Sequence, residues 1–562
     1  MSTNLRITGL MSGLDTESMI ESLMKAERVK VDTLKQDRQL VLWRQEMYNN
    51  LNKEFANFII NTRKNFGLTY TTSTGIFLSN SYKNLSWVKR VTSSDTSIAS
   101  VSASGIPFDG IYRVNVEKIA QGVSMVSGSN IGGDLKDILA SLGEDDEIRF
   151  TIATHKGEKE FVFRNESEKK LTVEDIVKEL NSATVLDENN KEVSLGIKAS
   201  YDANIGRFFI QTKETGRNVY IKIDADEGTS GKDFIEALNL KVSYNGYEDS
   251  NGNVVEADGT GHDLALGTKY IGQDALIHFN GAENITSSSN NITINGINMS
   301  LMGTGEFTVT VNTDVDGIYQ KISSFIEEYN KLVDKVDELL KQKRYYDYKP
   351  LTDAQKEEMK DKEIELWEEK AKSGLLKNDD IIARTMQNIR SSIYEEFEGV
   401  FKLITEIGIT TEKYASGTAG GRLEIKDEQK LRQAISENPE GVMELLFKES
   451  SEESAGGIVT RIYDNLISGM EEIIKKSGTG DNASLYRNVK STILLDFVTE
   501  YGSISLLDKS IADYDKRIAD LNDALRDKEN YYYKKFAALE TAISRMNAQS
   551  MWLAQQFNYN NY

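Results

Sequence analysis

The sequence predicts a multi-domain protein of the α plus β class. A helical bundle and a terminal α-helical coiled coil are expected to form from both ends of the chain, with a β-rich head of two domains inserted between them. Apolar residues recur every three or four positions near both ends, and they alternate with polar residues in the middle. The prolines, at 107, 350 and 439, avoid both ends, as helices require because proline costs about 3 kcal/mol in a helix interior.

The N-terminal helix is predicted to start after a cap at Asp15 and Thr16 and to weaken near Gly67. Glu27, Arg38 and Gln45 occupy positions of its apolar stripe, so we expect a stripe that is only partly covered or hydrated, because an unpaired buried charge is costly. The apolar members of the stripe are Ile20, Met24, Val31, Leu34, Val41, Tyr48, Phe55 and Ile59.

The C-terminal helix carries a heptad seam with one stutter, a pattern typical of a helix that packs on another helix. Residues 14–66 and 505–562 would each span roughly 80–90 Å as helices, so an antiparallel rod is expected. A thin rod can bury few side chains within one chain, so we expect neighbouring molecules to complete the burial of these apolar stripes. The alternative, that an apolar stripe is simply the core of a monomeric bundle, is expected for residues 317–505. The seam consists of Leu507, Ile511, Tyr514, Ile518, Leu521, Leu525, Tyr532, Phe536, Leu539, Ile543, Met546 and Leu553.

The middle of the chain is predicted to contain strands around one short helix. Residues 148–152 and 161–163 should form a hairpin across Lys156 and Gly157, and Thr172 should cap a helix. Residues 246–270 are rich in Gly and Asp and predict a loop. The other predicted strands are 112–116, 197–201, 207–211, 219–223, 275–279, 292–301 and 307–312.

Helical patterns return at 317, with a capping box at Thr352 and Gln355 and a break at Pro439. The strands on either side of the inner α+β unit could share one sheet. The predicted domains are a terminal coiled-coil leg (1–42 and 520–562), a helical bundle (43–72 and 317–519), a β-rich head domain (73–133 and 246–316) and an inserted α+β head domain (134–245).

Composition excludes several classes of function. The net charge of −21 argues against nucleic acid and anionic membrane surfaces. The absence of cysteine rules out disulfides, thiolate metal sites and a cysteine nucleophile. No secretory signal pattern opens the chain and no run approaches the ~20 apolar residues of a membrane helix. We therefore expect a protein that stays in the cytosol or is exported without a cleaved signal.

Enzymatic motifs are not found in the sequence. His155, His262 and His278 have no second ligand at metal spacing, and no phosphate loop, dinucleotide fingerprint or hydrolase elbow is present. We expect no enzymatic activity, no metal and no cofactor. The stretch 528–536 mixes Lys with Tyr and Phe; base stacking is conceivable, but the acidic chain favours a strip of the helix that faces a partner protein.

Residues 9–24, with the sequence GLMSGLDTESMIESLM, closely resemble the start of the bacterial flagellar filament cap family, also called hook-associated protein 2. Other pieces resemble the family in order along nearly the whole chain. These are 110–116 with 119–120, 272–275, 280–281, 289–290, 295–297, 325–332, 407–410, 438–447 and the tail from Phe536 to Leu553.

The resemblance implies a structural role outside the cell, at the distal tip of the flagellar filament. Family members leave through the type III export channel without a cleaved signal and form a ring-like homo-oligomer. Leg-like terminal helices contact the filament end, next to flagellin, and hook–filament junction proteins are further partners. The ring promotes folding and insertion of exported flagellin and prevents its leakage, while a cytosolic chaperone holds the C-terminal helix before export.

The site residues follow from the seams and the resemblance together. Self-assembly or filament contact is expected at Ile20, Met24, Val31, Leu34, Val41, Leu521, Leu525, Tyr532 and Phe536. Chaperone binding is expected at Leu539, Ile543, Met546 and Leu553. The alternatives are another flagellar axial protein, or a surface adhesin that binds host glycans through the β head, since some family members bind mucus or cells.

Overall fold

The computed structural model describes residues 15–72, 77–143, 146–165, 170–187, 190–243, 246–249, 252–256, 261–413, 419–450, 456–480 and 505–559. The chain divides into two compact units, a helical unit formed by Met1–Leu85 with Val315–Tyr562 and a β-rich unit formed by Ser86–Asp314. Both ends of the chain thus build one unit and the middle builds the other, which confirms the predicted α plus β class.

The helices within the described ranges are α1 (Thr16–Asn65), α2 (Gly132–Ser141), α3 (Val173–Ser182), α4 (Ser230–Ala237), α5 (Val315–Lys341), α6 (Asp353–Glu357), α7 (Asp361–Lys372), α8 (Asp380–Ile393), α9 (Glu428–Glu437), α10 (Pro439–Phe447), α11 (Ile458–Ser477) and α12 (Leu506–Tyr559).

The strands are β1 (Thr69–Thr71), β2 (Phe77–Ser79), β3 (Lys89–Ser93), β4 (Ala99–Ala103), β5 (Gly110–Lys118), β6 (Ser124–Ser127), β7 (Glu147–Thr154), β8 (Gly157–Arg164), β9 (Thr184–Leu186), β10 (Glu192–Ser194), β11 (Ile197–Asp202), β12 (Arg207–Thr212), β13 (Tyr220–Asp224), β14 (Leu240–Ser243), β15 (Gly246–Glu248), β16 (Val254–Glu256), β17 (His262–Asp263), β18 (Lys269–Ile271), β19 (Ala275–Phe279), β20 (Ala282–Ser287), β21 (Asn291–Ile294), β22 (Ile297–Leu301), β23 (Gly305–Thr313), β24 (Ile409–Thr411) and β25 (Leu423–Ile425).

The helical unit is a bundle in which the second half of α1 packs against α5 and α11, while α8 packs against α11. Tyr48, Phe55 and Ile59 of α1 are completely buried there. The Asp15 side chain accepts a hydrogen bond from the Ser18 backbone N–H and caps α1, as predicted. The bundle therefore receives the base of a 50-residue helix.

Two helix boundaries in this unit bear on the sequence predictions. The capping box of Thr352 and Gln355 is confirmed, but the helix that it starts ends at Glu357, and α7 follows as a separate helix. Pro439 stands at the first turn of α10, where its missing N–H has no helical partner to lose, so the predicted break is confirmed.

We call the α+β unit predicted at 134–245 the inner body. One sheet of the β-rich unit combines strands from before and after the inner body, in the order β20-β19-β5-β23-β3. This confirms that the inner body is inserted into a single sheet. The prediction of one strand over 292–301 is wrong, because the chain turns back at Asn295 and Gly296, whose φ angles are 49° and 73°. Two successive positive φ angles are the geometry of a type I′ hairpin turn, for which Asn-Gly is the preferred sequence.

The inner body has two larger sheets, β11-β12-β6-β14-β17 and β16-β15-β18-β13-β7-β8, and the two-stranded pair β10-β9, together with α2, α3 and α4. Its core includes the stacked rings of Phe150 and Phe161, whose centroids are 5.6 Å apart. The predicted β7–β8 hairpin and the Thr172 cap of α3 are confirmed.

The predicted loop at 246–270 is wrong, because this segment contains β15 to β18. These strands are only two or three residues long, and the Gly and Asp residues between them are typical of loops, so the sequence pattern does not indicate strands. The Asn253 backbone N–H, for example, donates to the Asp249 carboxylate, with 2.8 Å from N to Oδ1. Because β6 and β15–β18 pair into its sheets, the inner body extends beyond the predicted 134–245.

Candidate functional site

The candidate site is the antiparallel pair formed by the first half of α1 and by α12, within the helical unit. Three polar contacts fix its register. Gln45 Nε2 lies 2.8 Å from Asp508 Oδ1, Arg38 Nε lies 2.6 Å from Asp515 Oδ1, and Lys528 Nζ lies 2.7 Å from Glu27 Oε2. In these three contacts the residue numbers decrease on α1 as those of the partners increase on α12. The two terminal helices therefore run antiparallel, as the sequence predicted.

Three members of the predicted α1 seam are covered by their own chain. Ile20, Met24 and Val31 are buried, with only 2–4% of their surface exposed. Burying such a side chain stabilises the pair by roughly 1.5–3 kcal/mol. The expectation that neighbouring molecules complete this stretch of the seam is therefore wrong for these three residues, because α12 lies close enough along the pair to cover them.

The polar residues of the α1 stripe all have partners. Glu27 and Arg38 form the ion pairs described above, and the Gln45 amide also donates to the Ser477 carbonyl, 2.8 Å away. The Glu27 and Arg38 side chains also keep 25% and 33% of their surface exposed, so these groups are paired but only partly removed from water. Polar contacts between two apolar seams act mainly to specify register and orientation.

The electrostatics of two of these groups follow from their partners. The hydrogen bond from Lys528 lowers the pKa of Glu27 and raises the pKa of Lys528. Burial alone would raise the pKa of Asp508, but hydrogen bonds from Ser505 and Gln45 outweigh it and lower that pKa. The Lys528 contact that holds Glu27 in the charged form exists only when the helices are paired, whereas Asp508 is held charged by Ser505 at the start of its own helix as well as by Gln45 of α1.

The base of the pair is anchored by a second polar cluster where α1 enters the bundle. The Tyr48 hydroxyl donates to the Asp379 carboxylate, which also binds Lys476 Nζ at 3.1 Å. Burial, followed by the contact with Asp379, strongly raises the pKa of Tyr48. The cluster joins α1, α11 and the start of α8, so the base of α1 is fixed on several sides.

We define the tip of the pair as residues 16–42 of α1 with residues 520–556 of α12. Within it, the remaining predicted contact residues are half-buried: Leu34, Val41, Leu521, Leu525, Tyr532 and Phe536. Of the predicted chaperone-binding residues, Ile543 is half-buried, whereas Leu539, Met546 and Leu553 are exposed. The structure thus brings the two predicted seams together and leaves the far end of α12 uncovered.

Several exposed apolar residues of the tip lie off the predicted stripes. They are Met19, Leu23 and Val29 of α1 and Tyr531, Met551 and Trp552 of α12. The predicted stripes leave these residues out, because they follow only the most regular apolar repeat. An apolar residue next to a stripe that is already complete is a signal of a second contact face.

Among the described residues we find no arrangement of side chains that is typical of a catalytic site. His155 Nε2 is 2.8 Å from Glu214 and His278 Nε2 is 2.9 Å from Glu117, both simple surface pairs. In the described ranges no three His, Cys, Asp or Glu side chains come together as a metal site. None of the helices within those ranges is both long and apolar enough to cross a membrane.

Two family models match this chain, one on each side of the inner body. The family model of the flagellar hook-associated protein 2 N-terminus matches residues 12–122, and the model of its C-terminus matches residues 272–548. Together the two matches cover more than half of the chain and leave out most of the inner body.

Curated relatives align over almost the full length. Flagellar hook-associated protein 2 of Halalkalibacterium halodurans is 28% identical and covers 98% of this chain and 100% of its own length. The Thermotoga maritima protein of the same name is 23% identical over 98% of this chain and 95% of its own. A crystal structure of the D1-D2-D3 domains of the Escherichia coli flagellar cap protein FliD covers 75% of this chain and 96% of its own, at 19% identity and a TM-score of 0.46.

Proposed function

The chain belongs to the flagellar hook-associated protein 2 family, and we propose that it caps the distal tip of the bacterial flagellar filament as a ring-like homo-oligomer. In this proposal the ring promotes folding and insertion of exported flagellin and prevents its loss to the medium. The protein acts by binding and positioning, without enzymatic turnover or a cofactor, and reaches the tip by the flagellar export route without a cleaved signal.

One observation supports the proposal above the others. The α1–α12 pair is a long two-helix rod whose base is fixed in the bundle and whose tip carries uncovered apolar side chains. Many uncovered apolar side chains along such a rod favour a contact with another protein chain. In the proposal the tip contacts neighbouring copies and the filament end, through Leu34, Val41, Leu521, Leu525, Tyr532 and Phe536. Ile20, Met24 and Val31 support these contacts from inside the pair.

The far end of α12 is proposed to bind a cytosolic export chaperone before secretion. Leu539, Met546 and Leu553 are exposed, and Ile543 is half-buried beside them. A chaperone groove would cover this apolar strip until α12 reaches the filament. Replacing Met546 and Leu553 with Asp should abolish co-purification with the chaperone and leave the bundle folded; co-purification at the wild-type level would contradict this assignment.

The function is tested in a strain that lacks this chain. We expect short or absent filaments and unpolymerised flagellin in the medium, both restored by the wild-type chain. Normal filaments without it would contradict the proposal. Electron microscopy of the purified chain should show closed rings; long filaments would instead indicate another axial protein. Glycan binding by residues 68–316 without any assembly defect would indicate an adhesin.

A further inference from the structure

Asn52 is a polar residue in the middle of the base of α1 (residues 43–65), and its side chain is completely buried. Leu51, Phe55 and Ala56, which lie next to it on the helix, are buried as well. Among the residues that the structure describes, none forms a hydrogen bond with the amide oxygen or the amide nitrogen of Asn52. Buried polar groups in proteins are normally hydrogen-bonded, so Asn52 is an exception in the core of the helical unit.

Asn330 of α5 is a second asparagine in the core of this unit, and both ends of its amide have partners. Its Nδ2 donates to the Leu423 carbonyl and its Oδ1 accepts from the Leu423 backbone N–H, both at 2.8 Å. These two bonds join α5 to β25, so the Asn330 amide contributes to the packing of the unit. Within the described ranges the Asn52 amide forms no such link, and its burial therefore opposes packing instead of supporting it.

Asn52 lies on the side of α1 that faces the end of α11. Gln45, Asn49 and Asn52 follow one another at spacings of four and three residues, which place side chains on the same side of a helix. Gln45 Nε2 donates to the Ser477 carbonyl at 2.8 Å, and Asn49 Oδ1 lies 3.5 Å from the Ser477 hydroxyl oxygen. Ala56 follows Asn52 by four residues and continues this side of the helix. A line of polar side chains thus leads along the contact of α1 with α11 to Asn52.

Closer to the C-terminal end of the base, aromatic rings hold α1 in the bundle. The Phe58 ring centroid lies 5.8 Å from that of Phe325 of α5 and 6.2 Å from that of Tyr463 of α11. Separation at this level would expose the rings to water. Between residues 45 and 52, by contrast, separation would exchange hydrogen bonds for bonds to water and would give the Asn52 amide the bonds that it lacks. We infer that Asn52 is a weak point built into the bundle, where α1 separates first from the end of α11.

The weak point governs where the helical unit opens and not whether it folds. Tyr48 and Phe55 are fully buried on the same helix, so the open form is a rare local excursion from the closed one. The Tyr48 hydroxyl can take water as its partner in that form. Gln45 also contacts Asp508 near the start of α12, so the opening lies at the junction of the rod with the bundle. The inference goes beyond the proposed function and holds whether or not the chain caps filaments.

The test is Asn52→Leu in the full-length chain, because leucine has nearly the shape of asparagine and brings no polar group into the core. Since the chain has no cysteine, Ala56→Cys introduces a single buried thiol one turn from Asn52, and the rate of thiol labelling measures how often α1 separates from α11. This thiol should be labelled at least tenfold faster than one introduced by Val333→Cys, at a buried position of α5. Asn52→Leu should slow the labelling at position 56 at least tenfold.

Two control variants accompany the test. Asn50→Leu makes the same change at an exposed position of α1 and accounts for the higher helix propensity of leucine, so it should alter labelling at position 56 by less than about threefold. Asn330→Leu should have the opposite sign to Asn52→Leu. It should speed the labelling of Val333→Cys at least tenfold, because it leaves both Leu423 backbone groups unpaired.

Any of three results would overturn the inference. The first is labelling at position 56 that differs by less than about threefold between Asn52→Leu and Asn50→Leu. The second is equal labelling at positions 56 and 333 in chains that retain Asn52. The third is loss of the helical far-UV circular dichroism signal in Asn52→Leu, because a side chain of the same shape unfolds the unit only if the amide holds it together. Filament capping is measured separately, in the complemented strain, and none of these results bears on it.

Discussion

The two halves of α1 belong to one uninterrupted helix but have different surroundings. Its base, residues 43–65, enters the bundle, where it packs against α5 and α11 and where Tyr48, Phe55 and Ile59 are fully buried. Its tip, residues 16–42, is covered on one side by α12 and exposes Met19, Leu23 and Val29. The same helical period thus supports a core at one end and an assembly surface at the other, because the number of neighbouring helices differs.

The aromatic contacts show the same contrast. At the base, the Phe58 ring lies within 5.8–6.5 Å of the rings of Phe325, Tyr329 and Tyr463. At the tip, Tyr531 has Tyr532 of its own helix as a ring neighbour, and is mostly exposed. We therefore expect stability to depend on the base and assembly to depend on the tip.

The largest effect is expected from Phe55→Ala at the base. Removing a fully buried ring from a closely packed core leaves a cavity and costs about 3–5 kcal/mol. Urea denaturation followed by far-UV circular dichroism should show this loss in the transition of the helical unit. A loss below about 1 kcal/mol would mean that the base is not the folding core.

The same substitution at the tip, Phe536→Ala, should have a much smaller effect on stability. Phe536 is half-buried on a rod that can open without unfolding the bundle, so we expect the bundle transition to move by less than about 1 kcal/mol. Ring formation should nevertheless fail in electron microscopy. If Phe536→Ala destabilises the bundle as much as Phe55→Ala, the two regions are not separate in function.

The smallest effect concerns pH and the tip pair. The pKa of Glu27 is lowered by Lys528, so its contribution to pairing is present above the ordinary carboxyl pKa and is lost as pH falls through the lowered value. Asp508 follows the same sign. Limited proteolysis should cut the tip faster at pH 3 than at pH 7 in the wild-type chain. Glu27→Gln should reduce this difference, while an unchanged difference would exclude Glu27 as a cause.

Sequence periodicity predicted the features that depend on local pattern. Each of these features follows from a few adjacent residues. They are the two terminal helices, the caps at Asp15, Thr172 and Thr352, the hairpin at Lys156 and the break at Pro439. The insertion of the inner body into one sheet was also predictable, because strong alternating strands flank it on both sides.

Features that depend on distant partners could not be predicted. The polar residues Glu27, Arg38 and Gln45 interrupt the apolar stripe visibly, but their partners on α12 lie more than 400 positions away, and only the fold brings them together. Arg461 gave no signal at all: it is buried beneath the end of α8, where it donates to the carbonyl oxygens of Ser392 and Glu395. The strands at 254–256 and 262–263 are too short for alternation to reveal.

The central claim is that the base of α1 is completed by its own chain and the tip by assembly. Hydrogen–deuterium exchange on the full-length chain, free and bound to filament ends, tests it most directly. We predict that residues 43–65 are protected equally in both states, and that residues 16–42 and 520–556 exchange quickly when free and slowly when bound. A tip that is as protected as the base in the free chain, or unchanged on binding, would contradict the account.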